Sequence, residues 1–358
     1  MSDPATGHAV PKRYRVVQWA TGNVGSRALR NVIQHPYLDL AGVWVHSPDK
    51  VGRDAGTLCG IDPVGIAAVG TLEAVVALAP DCVLYMPHQA NHDELTALLA
   101  AGINVVTTRT EFQNPARLDP ALRARIEQAC VQGNSSLHGT GSSPGFVTEA
   151  LPIVLGSLQR RLDCLSISEF ADVSSRNSPE LLFQVMGFGS PPRAAADPGM
   201  LHHLRETFGG TLAVVADAMG VGFDSLEISG GLGFARHDVR IAAGLIPAGT
   251  VAATRAVITG VRDGKPLMRM LLNWYVSRDI ETSDGEDWDL RESGWRLLVE
   301  GDCPLDVSIT YPVAPEDYAE MTPGLTANRP VNAVAVVCEA SPGIRTSADL
   351  PQVIARLA

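Results

Sequence analysis

One glutamate, Glu111, follows a predicted buried strand directly, at a position where its side chain could act as a general acid or base. The apolar, β-branched run Asn104–Thr108 predicts the strand, and Glu111 follows it closely. A carboxylate in that place could hold a substrate ammonium, or pass protons while an amine and a carbonyl interconvert. The other interpretation is a surface acid paired with the neighbouring Arg109, and position alone does not choose between the two.

A nucleotide-binding turn is predicted near the start of the chain. The strand Arg15–Trp19 runs directly into a turn of the pattern A-x-G-x-x-G and then into a helix. Gly22 would let the backbone approach a pyrophosphate, Gly25 would let the helix pack on the strand, and the helix N-terminus would attract the anion. Ala20 replaces the usual first glycine, so an ordinary strand-turn-helix corner is the alternative. The predicted cofactor-binding residues of this turn are Thr21, Gly22, Asn23, Val24 and Gly25.

The end of the next predicted strand bears on which dinucleotide would bind. NAD-selective sites usually place an acid there for the ribose 2′-hydroxyl, whereas the strand Leu38–Val45 is followed by His46 and Ser47. Asp49 comes two to four residues after the position of that acid, and Lys50 and Arg53 close behind it could contact a 2′-phosphate. We therefore predict NADP(H) as the preferred cofactor and NAD(H) as the alternative. If the two cations are only solvated loop charges, this preference loses its basis.

Other candidate residues follow predicted strands or open the second half of the chain. Ligands of parallel sheets bind at the carboxyl ends of the strands, so three further residues are predicted to face the cofactor: Pro87, Thr108 and Thr140. Thr140 lies in a glycine-rich run that could instead be an interdomain hinge. Three residues are predicted to line a substrate pocket: Phe146, Arg176 and Asn177. Simple packing for Phe146 and a solvated polar turn for the other two are the alternatives.

Composition argues against several classes of partner. The 358 residues carry a net charge of −11 and are 46% hydrophobic, so neither nucleic acid nor an anionic membrane is an expected partner. No apolar run reaches the roughly 18 residues that a membrane helix needs. Residues 1–12 are polar and lack a signal-peptide core, which predicts a disordered tail on a cytoplasmic protein. His88 and His92 have the spacing of a helical metal pair, but Pro87 argues against a shared helix, so no metal is predicted.

Alternating strand and helix patterns place the chain in the α/β class. Over residues 13–144 the spacing predicts a doubly wound Rossmann domain that binds a dinucleotide, with a short extra strand at Ile66–Val69. Residues 145–325 begin with a predicted helix, Phe146–Leu158, and continue with successive strand-like runs. They predict an α+β domain for substrate and dimerisation, with a largely antiparallel sheet. Residues 326–358 are predicted to return to the Rossmann domain, with a helix over Asn328–Glu339.

Three runs of the chain carry a family resemblance. They are Gln18-Trp19-Ala20-Thr21-Gly22-Asn23-Val24-Gly25, Thr107-Thr108-Arg109-Thr110-Glu111 and Arg329-Pro330-Val331-Asn332-Ala333-Val334. Together they resemble the 2,4-diaminopentanoate dehydrogenase and native amine dehydrogenase family, whose members are related to dihydrodipicolinate reductase. The resemblance spans nearly the whole chain, although the second domain is similar in layout more than in motif.

The resemblance implies NAD(P)H-dependent reductive amination of a small ketone with ammonia, and the reverse oxidative deamination, by a homodimer. It implies Glu111 as the catalytic carboxylate, Phe146 as a pocket wall and Asn332 near the nicotinamide. Dihydrodipicolinate reductase carries a His pair and a lysine for its dicarboxylate substrate. The stretch after Glu169 has neither, so a less anionic substrate is expected. An imine or carbonyl reductase without ammonia chemistry, and a non-catalytic nucleotide-binding protein, are the alternatives.

Overall fold

The computed structural model describes residues 12–192, 196–314 and 317–357. Almost all of the predicted disordered tail, residues 1–12, lies outside these described residues. The chain divides into two compact units. The first holds the described residues up to Gly141, Pro323–Arg345, and the described residues from Asp349 onward, and the second holds the described part of Ser142–Thr322 together with Thr346–Ala348. The sequence predicts boundaries after residues 144 and 325, and it does not anticipate the short second-unit segment at 346–348.

A parallel sheet forms the centre of the first unit. Its strands are β1 (Tyr14–Trp19), β2 (Leu38–Trp44), β3 (Cys82–Tyr85), β4 (Asn104–Thr107), β5 (Ser136–Gly139) and β15 (Gly343–Arg345). They lie in the order β2-β1-β3-β4-β5-β15, and every neighbouring pair is parallel. The chain builds outward from β1 first on one side and then on the other, which is the doubly wound arrangement. The predicted α/β fold class is confirmed for this unit.

Helices cover both faces of this sheet, as an all-parallel sheet requires. On one face Val17 packs with Leu95 and Ile126, and on the other face Val16 packs with Val331 and Val334. Burial on both faces explains why every residue of β3 is buried. The helices are α1 (Asn23–Gln34), α2 (Ala55–Leu58), α3 (Leu72–Ala77), α4 (His92–Ala100), α5 (Pro120–Gly133) and α8 (Tyr318–Cys338, in this unit from Pro323).

The predicted strand at Ile66–Val69 is wrong. The segment makes bridges at two isolated residue pairs and no continuous ladder. The carboxylate of Asp54, the N-cap of α2, also accepts hydrogen bonds from the backbone N–H groups of residues 64–66. These N–H groups are therefore satisfied by a side chain, and the alternation of apolar residues reflects packing of a loop against α1 and β2.

The helix of the C-terminal segment begins ten residues before its predicted start. It runs over Tyr318–Cys338, whereas the sequence predicts Asn328–Glu339. Pro323 and Pro330 argue against a longer helix because proline lacks an N–H and crowds the preceding turn. Both prolines lie inside α8 all the same. The tertiary burial of its apolar side, which the local sequence does not reveal, offsets the local cost.

A second, mostly antiparallel sheet forms the centre of the second unit. Its long strands are β6 (Leu162–Asp172), β7 (Ser225–Ala235), β10 (Val251–Arg262), β11 (Lys265–Tyr275), β13 (Gly294–Gly301) and β14 (Leu305–Thr310), with β12 (Ile280–Thr282) at one edge. The order is β12-β7-β10-β11-β6-β13-β14, and the β6–β11 pair alone is parallel among the described neighbours. A small hairpin of β8 (Val239–Ile241) and β9 (Gly244–Ile246) stands apart. The predicted largely antiparallel α+β unit is confirmed.

One face of this second sheet is covered by helices. The long helix α7 (Pro198–Ala218) buries Phe208 and Leu212 against Ile167, Ile258 and Met270 of the sheet. The predicted helix at Phe146–Leu158 takes a different form. A π-helical run over Ser142–Ala150, with non-helical backbone at residues 143–145, precedes α6 (Leu151–Gly156). A second π-helical turn spans Glu180–Val185.

Candidate active site

The carboxyl ends of the parallel strands meet along one side of the first sheet, which we call the carboxyl edge. Three adjacent strands end there in aromatic residues: Trp19 of β1, Trp44 of β2 and Tyr85 of β3. The two indole rings stack with centroids 4.2 Å apart, and the Tyr85 ring lies 5.5 Å from that of Trp19. This buried aromatic cluster gives the loops beyond it a rigid base.

The predicted nucleotide-binding turn has the shape that a pyrophosphate needs. Ala20 adopts φ 73°, a backbone that glycine accepts more easily, so the replacement of the first glycine has not changed the turn's left-handed bend. A Cβ on Gly25 would lie 2.3 Å from the carbonyl oxygen of Ala20, so this glycine is needed for α1 to pack on β1. A Cβ on the exposed Gly22 would meet nothing within 4 Å. The first turn of α1 carries no acidic residue and no side-chain cap, so its N–H groups fit a bound phosphate.

Lys50 connects the end of β2 with this turn. A short 3₁₀ turn, Pro48–Lys50, brings its ammonium Nζ to 3.3 Å from Thr21 Oγ1. Ser47 is the half-buried N-cap of the same turn, and His46 and Arg53 are exposed on either side of it. A cation and two polar groups therefore follow β2 beside the predicted nucleotide turn, and the acid of this stretch, Asp49, is exposed in the middle of the 3₁₀ turn.

Arg27 is a candidate that the sequence analysis missed. It lies one turn into α1, and its guanidinium donates a 2.9 Å hydrogen bond to the backbone carbonyl of Asn23. It also donates to the Asn23 side-chain oxygen. A cation therefore lies at the first turn of the helix, where a phosphate would bind. The four-residue spacing from Asn23 was the available signal.

Glu111 is held at the carboxyl edge by Arg109. The 3₁₀ turn Thr110–Phe112 directly follows β4, and both Nε and Nη2 of Arg109 lie 3.0 Å from Glu111 Oε1. The second oxygen, Oε2, has no hydrogen-bond partner among the described residues. Arg109 Nη1 also donates a 2.6 Å hydrogen bond to the carbonyl of His88, next to Pro87 in the loop after β3. The side chains of Glu111 and Arg109 are each 31% exposed, so the carboxylate is accessible without lying in bulk solvent.

The end of β5 lies against the turn that carries Glu111. A Cβ on Gly139 would lie 2.9 Å from the backbone N of Gln113, so only glycine allows this close approach. The next residue, Thr140, donates its backbone N–H to the carbonyl of Thr107. Its hydroxyl is fully buried and has no hydrogen-bond partner among the described residues, so it is a polar group left for a ligand at this edge. Thr108, which is half-buried, directly follows Thr107, the last residue of β4.

His138 lies directly before Gly139 in β5, and its imidazole ring is neutral. It is 1% exposed, and burial lowers its pKa to about 4. Its Nδ1–H donates a 2.7 Å hydrogen bond to the carbonyl of Arg345 in β15. This bond fixes the neutral tautomer and makes His138 a structural link between β5 and β15.

Asn332 does not join the residues of the carboxyl edge. It lies on α8 and lines a groove of about 200 Å³ together with Tyr14 and Leu38. Those two residues begin β1 and β2, so the groove is at the amino ends of the strands. The position near the nicotinamide that the resemblance implied for Asn332 is therefore corrected.

The predicted pocket residues belong to the second unit. Phe146 lies in the π-helical run and is 39% exposed. Arg176 and Asn177 are exposed in the turn after β6, where the backbone N–H of Arg176 donates to the carbonyl of Val173.

Neither a metal site nor a membrane-spanning helix is present among the described residues. No group of three or more His, Cys, Asp or Glu side chains there is placed to hold a metal ion. No helix within the same residues is both long and apolar enough to cross a bilayer.

The chain is similar to amine dehydrogenases along almost its full length. Residues 16–131 match the family model of the dihydrodipicolinate reductase N-terminus. An amine dehydrogenase of Streptomyces virginiae is 31% identical over 349 residues, which is 94% of this chain and 95% of that protein. A 4-hydroxy-tetrahydrodipicolinate reductase of Anaeromyxobacter dehalogenans is 32% identical over 123 residues, 34% of this chain and 46% of that protein.

A known structure shares the whole fold. The amine dehydrogenase from Mycobacterium smegmatis superposes with a TM-score of 0.69 at 20% identity, covering 96% of this chain and 97% of that one. The dihydrodipicolinate reductase match is confined to the nucleotide-binding half, whereas the amine dehydrogenase similarity continues through the second unit. The chain therefore belongs to the amine dehydrogenase family, related to dihydrodipicolinate reductase, and is an NAD(P)-dependent oxidoreductase.

Proposed function

We propose that this protein is an amine dehydrogenase that converts a small ketone and ammonia to an amine, and catalyses the reverse oxidative deamination. The observation that carries the proposal is the placement of Glu111. Its carboxylate is 31% exposed at the carboxyl edge, Arg109 holds it there, and the turn that carries it packs against Gly139, which precedes Thr140 with its unpartnered hydroxyl. The full-length similarity to the Streptomyces amine dehydrogenase supports the same reaction.

The proposed mechanism gives Glu111 two proton transfers. Ammonia adds to the ketone carbon, and Glu111 takes a proton from the nitrogen as the C–N bond forms. The former carbonyl oxygen takes a proton from solvent as the C–N bond forms, which gives a hydroxyl group. Glu111 then gives its proton to this hydroxyl group, the C–O bond breaks, water leaves, and the nitrogen lone pair completes the iminium ion. The carboxylate stabilises this cation by its charge. The nicotinamide, when bound, supplies the hydride that reduces the iminium carbon. Arg109 keeps Glu111 oriented, since both guanidinium bonds leave Oε2 directed away for the substrate.

NADP(H) is the proposed cofactor, with NAD(H) as the alternative. Lys50 lies beside Thr21, and Arg27 lies on the first turn of α1, so two cations flank the predicted nucleotide turn. His46 and Ser47 occupy the positions where NAD-selective sites usually place an acid for the 2′-hydroxyl, and Asp49 comes two residues later.

The proposed substrate is a small ketone or amine of low charge, and Phe146 is proposed as an apolar wall of its pocket. Arg176 and Asn177 are proposed to meet a polar group of the substrate, since both are exposed in one turn. The absence of a lysine and a His pair after Glu169 argues against a dicarboxylate.

A homodimer through the second sheet is also proposed. Alternate side chains on the sheet face opposite α7 are half-exposed and include the cross-strand neighbours Val257 and Leu271, with Ser168 beside Leu271. A flat, partly apolar face of this kind suits a second copy of the chain. Light scattering should give twice the chain mass of 37.9 kDa, and Leu271→Glu should give the monomer mass.

The reaction is tested by the ammonia dependence of NADPH oxidation. Purified protein, NADPH and a panel of small ketones are assayed at alkaline pH with ammonium chloride, and with sodium chloride as the matched salt. The proposal expects oxidation only with ammonium, and formation of the amine. Oxidation at the same rate with sodium chloride would instead identify a carbonyl reductase. Tight NADPH binding without turnover on the whole panel would identify a non-catalytic nucleotide-binding protein.

A further inference from the structure

The groove that Asn332 lines, at the amino ends of the strands, has a largely apolar lining. Its apolar residues come from β1, β2 and α8 and include Tyr14, Leu38 and Val331. Ile354, from the segment after β15, lines the groove as well and is 71% exposed. All of these residues belong to the first unit, and the groove lies at the opposite ends of the strands from the carboxyl edge.

The charges of this groove are positive, although the chain is acidic. The sequence has 39 Asp and Glu residues against 28 Lys and Arg residues. The lining nevertheless contains the exposed cations Lys12 and Arg356, and no acid is among its described residues. Neither cation forms an ion pair with a described residue. Glu339 contacts the groove residue Tyr14, but its Oε1 already accepts the Tyr14 hydroxyl. The groove therefore attracts an anion.

The uncharged polar groups of the groove supply hydrogen-bond donors. The backbone N–H of Tyr37 donates a 3.1 Å hydrogen bond to Nδ1 of His35, so the neutral imidazole carries its hydrogen on Nε2. Burial lowers the pKa of His35, and nearby guanidinium charges lower it further, so the ring is neutral at pH 7. The side-chain amides of Asn332 and Gln352 have no hydrogen-bond partner among the described residues. Three N–H donors therefore accompany the two cations.

One of the cations is held close to the apolar lining. The ammonium Nζ of Lys12 lies 4.6 Å from the centroid of the Tyr14 ring, which is itself 1% exposed. The groove volume of about 200 Å³ holds about seven water-sized groups of roughly 30 Å³ each. Phosphate would leave the apolar lining in contact with water, whereas hexanoate has the right size and carries both an anionic head and an apolar chain.

We propose that this groove is a binding site for a small organic carboxylate with an apolar body. The carboxylate would be held by the charges of Lys12 and Arg356 and by the neutral N–H donors, and the chain would lie against Tyr14, Val331 and Ile354. The site is separate from the carboxyl edge, so it does not depend on the cofactor or on turnover. The competing explanation is that the groove is only the seam where the segment after β15 packs on the first sheet.

Isothermal titration calorimetry tests this site without catalysis. The protein is titrated with sodium hexanoate at pH 7.5, with 1-hexanol as the neutral analogue and with sodium acetate as the anion without the chain. Hexanoate should bind saturably with a Kd of about 1 mM or lower, and the two controls should bind at least about tenfold more weakly. The titration is repeated with saturating NADPH, which occupies any anion site at the nucleotide turn. The hexanoate affinity should then be unchanged.

Charge variants locate the binding in the groove. Lys12→Gln and Arg356→Gln should each weaken hexanoate binding by about fivefold, because each removes one exposed charge without disturbing the core. Arg356→Lys keeps the charge and should stay within about twofold of the unmodified protein. Val336→Glu adds an acid to the lining and should weaken binding by more than about tenfold.

Arg123→Gln is the matched control, at an exposed cation of α5 outside the groove, and should leave the affinity unchanged. Equal binding of 1-hexanol and hexanoate, displacement of hexanoate by NADPH, or unchanged affinity in both glutamine variants of the groove overturns the proposal. No binding of hexanoate to the unmodified protein overturns it as well.

Discussion

Arg109 and Glu111 form an ion pair in which two guanidinium nitrogens lie 3.0 Å from a single carboxylate oxygen. The same arginine also donates to the carbonyl of His88, so one side chain connects the loops after β3 and β4. The two interpretations that position alone left open are therefore not exclusive. Glu111 is indeed paired with Arg109, and the pairing uses Oε1 alone and leaves Oε2 without a hydrogen-bond partner among the described residues.

Removing the Glu111 carboxylate should abolish most of the amination. Glu111→Ala and Glu111→Gln are expected to lower kcat by about 100-fold or more, the usual cost of losing a general acid–base group. The dissociation constant for NADPH should change by less than about twofold, since Glu111 is not needed for the phosphate contacts. Glu73→Gln, at an exposed glutamate of the same unit, is the control. Unchanged turnover in either Glu111 variant would exclude the assigned role.

Arg109 should act as a positioning residue. Arg109→Gln is expected to lower kcat by about tenfold while KM for the ketone changes little, because Glu111 loses its orientation but remains present. Arg109→Lys keeps the positive charge but cannot place two nitrogens on Glu111 Oε1. Its kcat should therefore lie between those of Arg109→Gln and of the unmodified protein. A variant that instead raises KM alone would show that Arg109 contacts the substrate.

Lys50 should distinguish the two cofactors. Lys50→Ala is expected to weaken NADPH binding by about fivefold, a cost near 1 kcal/mol for losing one partly exposed charge contact to a phosphate. NADH binding should stay nearly constant, because NADH has no 2′-phosphate. Arg53→Ala, at a neighbouring exposed cation, should have a smaller effect. Tighter binding of NADH than of NADPH by the unmodified protein would refute the proposed preference.

The two glycines of the nucleotide turn should separate folding from binding. Gly25→Ala should destabilise the fold by about 1–3 kcal/mol in urea unfolding, since the new Cβ would lie 2.3 Å from a backbone oxygen. Gly22→Ala should leave stability within about 0.5 kcal/mol, because its Cβ meets nothing within 4 Å. The same methyl should obstruct the pyrophosphate and weaken cofactor binding. Equal stability losses in both variants would contradict this division.

His138 should make the fold lose stability in acid. Its pKa falls from 6.5 to about 4 in the folded protein because of burial. Below pH 6.5, the pKa of His138 in the unfolded chain, the unfolded chain takes up a proton that the folded protein does not. The free energy of unfolding therefore decreases as the pH falls, until the pH reaches the folded-state pKa of about 4. Over this whole pH range the free energy of unfolding should fall by about 3 kcal/mol.

Unfolding in urea at pH 7.5 and pH 5 measures this effect. In His138→Gln the free energy of unfolding should differ less between pH 7.5 and pH 5 than in the unmodified protein, whatever the absolute stability of the variant. His203→Gln, at an exposed histidine, should keep the whole difference. An undiminished pH dependence in His138→Gln would mean that other groups cause it.

Much of the fold could be predicted because its signals are local. The turn after β1 combines a buried strand, glycines at fixed spacing and a helix start, and each follows from backbone sterics within a few residues. The second sheet was predictable in class from successive strand-like runs. The strand order and the parallel β6–β11 pair join segments far apart in sequence, and no local pattern encodes them.

The wrong predictions have a common cause. The run Ile66–Val69 has a strand-like composition, but the distant carboxylate of Asp54 takes up neighbouring N–H groups. Helix α8 contains two helix-breaking prolines, but burial of Ala327, Val331 and Val334 against the first sheet stabilises it. Asn332 lies in a run that resembles the family, yet the direction of α8 puts it at the amino ends of the strands. In each case a long-range contact decided against the local preference.

By itself the sequence determined the strand-turn-helix unit after β1 and the α/β class, and it selected Glu111 as the candidate carboxylate, because these depend on residues close together in the chain. Only the tertiary structure decided that the turn carrying Glu111 would pack against Gly139, that Lys50 would reach Thr21, and that Glu169 would meet Ser143 and two indoles. The physical reason is that hydrogen bonds and close packing act over a few ångströms in space. Segments separated by tens of residues can satisfy them only once the sheets have formed.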